Sequence, residues 1–382
     1  MVIENVMELL PALPWVIPFF TLPRLARRTP SLINTQPESG QLVSVVIPAR
    51  NESSTIATVV GSILSTTYHP IELIVVDDRS SDDTPAIVES FSDPRLRLVR
   101  GERLPAGWYG KPWACLQGYR AAKGNILLFT DADTRHAPEL LARAVGALVQ
   151  EKADLVTVAP LQRCVTFWER VVMPQIWLLL ALRYHPDAVN RARRERDVIA
   201  NGQFILTTRK AYEAAGTHEA VRHEVAEDLA LAQRYLRHGR KLHFTFAERL
   251  METRMYQGLA HLIEGWSKNI YLGGRRSFPH EPLLRGLVPV MLIVAMLFWL
   301  LPPAVLLASA VDPGLSDLVP AALLACAFSA GFWMLICHGM QIPALYGLAY
   351  PLGALMALYI VLRSTWRGRR VEWRGRIYKN KS

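Results

Sequence analysis

Three short polar clusters, each at the end of an apolar run, are where this chain could do chemistry. In TDADT, from Thr130 to Thr134, Asp131 and Asp133 offer hard oxygen ligands of the kind that suit Mg2+ or Mn2+. A metal there would bridge a diphosphate and offset charge growing on a leaving nucleotide, with one carboxylate toward the metal and the other toward sugar or ribose. A lone DxD triplet is weak evidence, because capping turns use the same residues. In VVDDRSSDDT, from Val75, Asp77 or Asp78 could accept a hydrogen bond from a base imide or a ribose hydroxyl, while Ser80, Ser81 and Asp82 could simply cap a helix. PARNES, from Pro48, sets Asn51 and Glu52 beside a turn whose backbone could touch a nucleobase.

The flanking runs say what must hold these clusters. LVSVVIPAR from Leu42 and IELIVVDD from Ile71 are unbroken, β-branched stretches, as expected of strands buried on both faces. Between them Ile56, Val59, Val60, Ile63 and Leu64 recur at helical spacing. Further helices are expected near Pro85 to Phe91 and Lys111 to Ala122, with strands at RLRLV from Arg95 and NILLFTDAD from Asn125. The alternation predicts a doubly wound α/β sheet, and such sheets bind ligands beyond the carboxyl ends of their strands.

Composition adds a second environment. Of 382 residues 51% are apolar, and 43 basic against 33 acidic residues give a net charge of +10. That charge alone would fit nucleic acid, anionic lipid or a phosphorylated substrate. The basic residues lie beside apolar segments, at Arg24, Arg27 and Arg28 and again at Arg363, Arg367, Arg369 and Arg370, which favours membrane flanks over nucleic acid. Cys115, Cys164, Cys326 and Cys337 form neither a zinc pattern nor a disulfide framework, so a reducing compartment is expected. The apolar stretch Val6 to Leu22, interrupted by Pro11, Pro14 and Pro18, reads as a broken or interfacial anchor rather than a cleaved signal. Cys164 to Tyr184, interrupted by Glu169, Arg170 and Pro174, fits either an interfacial helix or an ordinary buried one. Towards the C-terminus Leu283 to Val311, Leu318 to Cys337 and Ile342 to Leu362 each approach the roughly 20 residues a crossing needs. His338, Gln341 and Pro343 mark the weakest place. Three crossings would set the basic tail on the side opposite the acidic clusters, which the positive-inside rule disfavours.

PARNE, VVDDRSSDDT, GKPWACLQGYRAAKG and TDAD stand in an order and spacing that resembles the family 2 glycosyltransferases of the GT-A fold. The resemblance runs over roughly residues 42 to 275. It implies that Pro48, Ala49, Asn51 and Glu52, Asp77 or Asp78, and Lys111 hold the nucleotide-sugar, with Asp131 and Asp133 serving sugar and metal. ANGQF from Ala200 looks like the acceptor-side strand and turn, which nominates Asn201, Gly202 and Gln203. EVAEDLALAQRYLRHG from Glu224 looks like the catalytic helix, with Asp228 as base and Glu227 beside it. An inverting transfer needs such a carboxylate near the acceptor hydroxyl, although acidic residues in a first helical turn also suit the helix dipole. His218 and His223 are as apt to hold a loop as to touch substrate, and Trp108 and Trp113 more commonly fill core than stack on sugar.

The QxxRW motif of processive polysaccharide synthases is missing, and IEGWSK, with Trp266 and Lys268, occupies its region. That lowers the case for a polymerase. LPAGWYGKPWA, FWERVVMP and the GWSKN segment are similar to bacterial enzymes near the hopanoid-associated and carotenoid-acid glycosyltransferases. The expected organisation is an anchor over 1–30, an α/β GT-A domain over 42–275 with a Rossmann-like mixed sheet and helices on both faces, transmembrane helices over 283–362, and a basic tail over 363–382. The expected activity is a non-processive, inverting hexosyl transfer from a nucleotide-sugar, UDP-linked, to a lipid or isoprenoid-type acceptor. It would need Mg2+ or Mn2+ and no nucleic acid, with the catalytic domain on the cytoplasmic side of the cell's inner membrane. A processive synthase and an inactive membrane-binding scaffold are the alternatives.

Overall fold

The computed structural model describes residues 8–26, 29–368, 370–373 and 376–379. Arg24, Arg27, Arg28, Arg369 and Arg370, read above as membrane flanks, lie outside the described side chains, as does the start of the anchor segment.

Strands β1 (Val43–Ala49), β2 (Ile71–Asp77), β3 (Leu96–Arg100) and β4 (Ile126–Thr130) pair in parallel, β3 with β2, β2 with β1, and β1 with β4. After the short strand β5 (Thr134–His136) come β6 (Leu155–Ala159), β7 (Leu161–Gln162), β8 (Phe204–Thr208), β9 (Leu242–Phe246) and β10 (Met251–Thr253). The main sheet has seven strands in the order β3-β2-β1-β4-β8-β6-β9, and β8 runs antiparallel to both its neighbours. A second, three-stranded sheet, β5-β10-β7, stands beside it.

The two-residue period of β1 explains why helices cover both faces. Val43, Val45 and Ile47 join Ile56, Val59, Leu140 and Val145 in one core, whereas Val46 joins Ala114, Cys115 and Leu231 in the other. Each fully buried valine or isoleucine removed from water contributes about 1.5–3 kcal/mol. The helices Ile56–Leu64 and Leu140–Gln150 therefore lie on one side, and Gly110–Ala121 and Glu227–Arg237 on the other. Gly118 sets how close Gly110–Ala121 comes to the sheet, because a Cβ there would lie 2.3 Å from a methyl of Val46.

Among the described residues three helices are long and apolar enough to cross a membrane: Pro282–Ser309, Pro313–Gly339 and Ala344–Arg367. Leu283, Val290, Val294 and Leu301 are exposed on the first, a surface suited to lipid rather than water. The weak place at His338 to Pro343 is the turn between the second and third, with Gln341 in the left-handed region at φ 58°. The N-terminal helix Leu13–Ala26 docks on this bundle, with the Trp15 indole stacked on Phe298 at 4.8 Å and donating to its carbonyl at 2.9 Å.

The helix Phe167–Arg183 combines both readings of its sequence. Val172, Met173 and Ile176 are buried against Leu262 and Ile360, while Phe167 and Leu182 stay exposed. Glu169, which made the stretch look too polar, is buried; it accepts from the Val165 and Gly258 amides at 2.7 and 3.0 Å and pairs with Arg254 at 3.1 Å.

Gly118→Val is expected to overpack the helix–sheet contact and cost about 1–3 kcal/mol. Thermal unfolding of the full chain in detergent checks this, and an unchanged melting temperature would contradict the close approach.

Candidate active site at the strand ends

The loops after β1 and β2 are stitched together. The Asn51 amide donates to Ser80 Oγ at 2.9 Å, its Oδ1 accepts from the Ser81 amide at 2.8 Å, and the Glu52 amide donates to Thr84 Oγ1 at 2.8 Å. Asn51 itself has φ 54°, the left-handed turn that asparagine tolerates better than most residues. Burial raises Asp82, but hydrogen bonds from Thr84 and Ser53 outweigh it and bring the carboxyl to about 2. Asp77 accepts from the Ser80 amide at 3.1 Å, and the Asp78 amide donates to the Ala49 carbonyl at 2.7 Å. The capping reading and the recognition reading of this segment thus concern neighbouring groups on one platform.

One strand further along, Lys111 Nζ lies 2.7 Å from Asp131 Oδ1 and 2.9 Å from Glu227 Oε1. Burial works against the ammonium, yet Asp131, Glu227 and Asp228 together hold it well above its ordinary value. Burial also raises Glu227, and the Lys111 charge outweighs it and holds that carboxyl down. The small cavity around this triad is lined by Pro48, Lys111, Asp131, Gly202, His218 and Glu227, which brings the ends of β1 and β4, the turn before β8 and the start of Glu227–Arg237 to one recess.

Asp228 Oδ2 accepts from the Gly202 amide at 2.9 Å, and its Oδ1 from the Leu229 amide at 2.7 Å. Burial, then the Glu227 carboxylate, push Asp228 up to about 6 against the pull of Lys111. Gly202 leaves room for both charged groups, since a Cβ there would stand 2.9 Å from Lys111 Nζ and 3.1 Å from Asp228 Oδ2 and would press on them. Asn201 and Gln203 hold that turn: the Asn201 amide group donates to the Val158 carbonyl at 3.0 Å, and Gln203 donates to Thr253 at 3.3 Å.

Asp133 follows the end of β4, where the chain has left the strand. Burial, then the carboxylates of Asp131 and Glu52, push it up to about 7. Its Oδ1 is buried with no hydrogen-bond partner. An orphaned carboxylate oxygen in an acidic recess fits a hard divalent cation held by one or two carboxylates and completed by phosphate oxygens. Lys268 lends positive charge to Asp131 from the helix Leu259–Arg276. Trp266, nominated for the acceptor side, instead belongs to the core: it is buried against Tyr256 and Trp177, and its indole donates to Met173 Sδ at 3.3 Å. The reason is helical period, because Leu262 and Trp266, four apart, share the buried face.

Sequence reasoning missed the polar knot behind the DxD turn. Thr130 Oγ1 donates to the Gln203 carbonyl at 2.8 Å and meets His136 Nε2 at 3.1 Å, while Thr134 donates to the Asp131 carbonyl at 2.8 Å. Burial lowers His136 to about 3, so it stays neutral. The signal was present, since Thr134 and His136 are two apart in β5 and point to one face. His218 takes a similar part: the Tyr212 hydroxyl meets its Nδ1 at 2.6 Å, and burial lowers it to about 4. Trp113 is buried in edge contact with Trp108 at 5.1 Å.

This mixed sheet, with an acidic recess at its strand ends, has the GT-A architecture. Residues 44–216, a little under half of the chain, match the model of Glycosyl transferase family 2. It is 28% identical over 244 residues to the 4,4'-diaponeurosporenoate glycosyltransferases of Staphylococcus aureus strains MRSA252 and USA300, covering 62% of this chain and 63% of theirs. The matched stretch thus spans under two thirds of those relatives. A mannosyltransferase of Pyrobaculum calidifontis, solved with GDP-Man and Mn2+, shares the fold at a TM-score of 0.53 and 19% identity, over 96% of this chain and 98% of that one.

Lys111→Met should leave two facing carboxylates uncompensated and cost about 3 kcal/mol, the lower end for breaking a buried pair. Adding Glu227→Gln should recover part of that loss. Melting curves of the two variants test it; a single variant as stable as the parent would refute the triad.

Proposed function

We propose that the chain is an inverting, non-processive hexosyltransferase that moves one sugar from a nucleotide-sugar, UDP-linked, to an apolar lipid or isoprenoid-type acceptor. The observation that carries this reading is the single recess in which Lys111, Asp131, Glu227 and the Gly202-held Asp228 meet. The names of the curated relatives, which act on 4,4'-diaponeurosporenoate, support an apolar acceptor.

In this reading Asn51, Glu52 and Asp77 or Asp78, on the stitched platform, receive the nucleotide beside Pro48 and Ala49. Asp131 and Asp133 would hold Mg2+ or Mn2+, which when bound neutralises charge on the departing diphosphate. Lys111 fixes Asp131 and Glu227 and keeps the donor side and the acceptor side of the recess in register. Asp228 takes the proton from the acceptor hydroxyl as that oxygen attacks the anomeric carbon, and the Gly202 amide keeps its carboxylate aimed. A base held at about 6 is ionised at neutral pH and still basic enough to accept a proton. Asn201 and Gln203 act through the turn they hold, and Lys268 through its charge on Asp131. Residues 42–275 form the catalytic domain and 283–362 the membrane region, with 1–30 as an additional anchor and 363–382 as a basic tail. The catalytic domain faces the cytoplasm at the inner membrane.

The deciding experiment incubates the full chain and native lipid extract with labelled nucleotide-sugars, with and without Mn2+. One labelled lipid is expected; a ladder of products would favour a processive synthase instead, and no transfer from any donor would favour a scaffold. Asp228→Asn should lower turnover by about 10²-fold or more while leaving nucleotide affinity unchanged by calorimetry. In the parent, kcat/KM should fall about tenfold per pH unit below about 6, as Asp228 becomes protonated. Retained turnover in the variant, or a flat profile down to pH about 4, would remove Asp228 as the base.

A further inference from the structure

We infer that the arginine run at 191–194 binds the phosphate-bearing headgroup of an anionic phospholipid where the first apolar helix leaves the catalytic half. Arg193, Arg194, Arg196, Arg237 and His280 line an open cleft that ends at Glu281, the residue before Pro282–Ser309. Its two carboxylates are already taken. Glu195 pairs with Arg237 at 2.7 Å and with His280 at 3.3 Å, and Glu281 pairs with Arg196 at 3.0 Å. Among the described residues Arg191, Arg193 and Arg194 have no acidic partner, and all three are exposed.

Location turns this surplus charge into a lipid site rather than a merely solvated surface. The Arg196–Glu281 pair fastens the run to the mouth of the helix, and Leu283, two residues on, is 74% exposed. Arg183, next to the 64% exposed Leu182, donates to the Arg196 carbonyl from the end of Phe167–Arg183. The exposed Leu182 and Leu283, tied through Arg183 and Glu281 to Arg196, and the exposed guanidiniums of Arg193 and Arg194 just before it match a lipid that presents acyl chains and a phosphate together. Guanidinium binds phosphate with a fork of two donors, which a compact ammonium does not reproduce. The inference takes Pro282–Ser309 as membrane-embedded and is independent of the sugar chemistry.

The full chain, purified in a neutral detergent, is titrated with dioleoyl phosphatidylglycerol, dioleoyl phosphatidylcholine or inorganic phosphate, and retained lipid is counted by native mass spectrometry. Phosphatidylglycerol should be held preferentially, and the triple change Arg191→Gln, Arg193→Gln, Arg194→Gln should weaken it by about fivefold per arginine, on the order of a hundredfold together. The corresponding triple lysine change should weaken retention less than the glutamine change, because it keeps the charge and loses only the fork of donors. Equal retention of the two lipids by the parent, or no loss in the glutamine variant, overturns the site. Displacement by an equal concentration of inorganic phosphate overturns the lipid source and leaves a free-phosphate site. Should the glutamine variant fail to fold, the parent decides by itself, because retention that does not weaken as salt rises is not electrostatic.

Discussion

A lysine ammonium in a recess must be surrounded by carboxylates or lose its proton, and the site of this protein is built on that constraint. Lys111 comes from one helix, Asp131 from the end of β4, and Glu227 from the first turn of another helix. The helix Gly110–Ala121 and β4 follow one another in the chain, whereas Glu227–Arg237 comes far later. The ion triad therefore records the tertiary fold at one point, and any shift of a helix on the sheet would break it. The recess stays acidic all the same, because Asp133, Asp228 and Glu52 add further carboxylates to Asp131 and Glu227, against Lys111 and the charge of Lys268. Asp133 and Asp228 respond by holding protons more tightly than free aspartates do. A recess with this excess of negative charge receives a cation more readily than it receives a bare diphosphate. In the proposed reaction that sets the metal, rather than Lys111 by itself, against the donor's phosphates.

The parts of this arrangement that could be read from sequence are those governed by local period. The runs Val43 to Ala49 and Ile71 to Asp77 read as strands covered on both sides, and the polar clusters that follow them as lying at the rim. What could not be read is which polar residue meets which across the chain. Glu169 looked like an interruption in an apolar helix because its partners, the Gly258 amide and Arg254, lie 85 residues or more away. Lys111 looked like a cation waiting for phosphate because nothing local showed that two carboxylates already flank it. Trp266 shows the converse: its spacing of four from Leu262 puts it on the buried face, whatever family motif it stands near.

The catalytic half and the apolar helices are joined by more than a linker. Arg170 donates to the Tyr346 hydroxyl at 2.8 Å, and Ser364 donates to the Ser267 carbonyl at 2.6 Å. Gly353 lets Tyr350–Arg367 close onto Phe167–Arg183, since a Cβ there would stand 2.3 Å from the Val171 carbonyl oxygen. Helices that carry site-bearing loops at one end thus pack directly on helices suited to lipid.

That packing also bears on the orientation of the third apolar helix. By length and composition three helices could cross, which would put the end of the third opposite the catalytic half. Yet Arg363 and Arg367, at that end, pair with Glu264 of Leu259–Arg276, the first at 3.0 Å and the second at 2.5 Å. Arg183, at the end of Phe167–Arg183, likewise donates to the Ser277 carbonyl at 3.3 Å, just past Leu259–Arg276. The basic end of the third helix is therefore anchored beside helices that lead directly into the catalytic half. Counting helices of sufficient length is not the same as counting crossings, because the ion pairs to Glu264 keep Arg363 and Arg367 on the side of the α/β half.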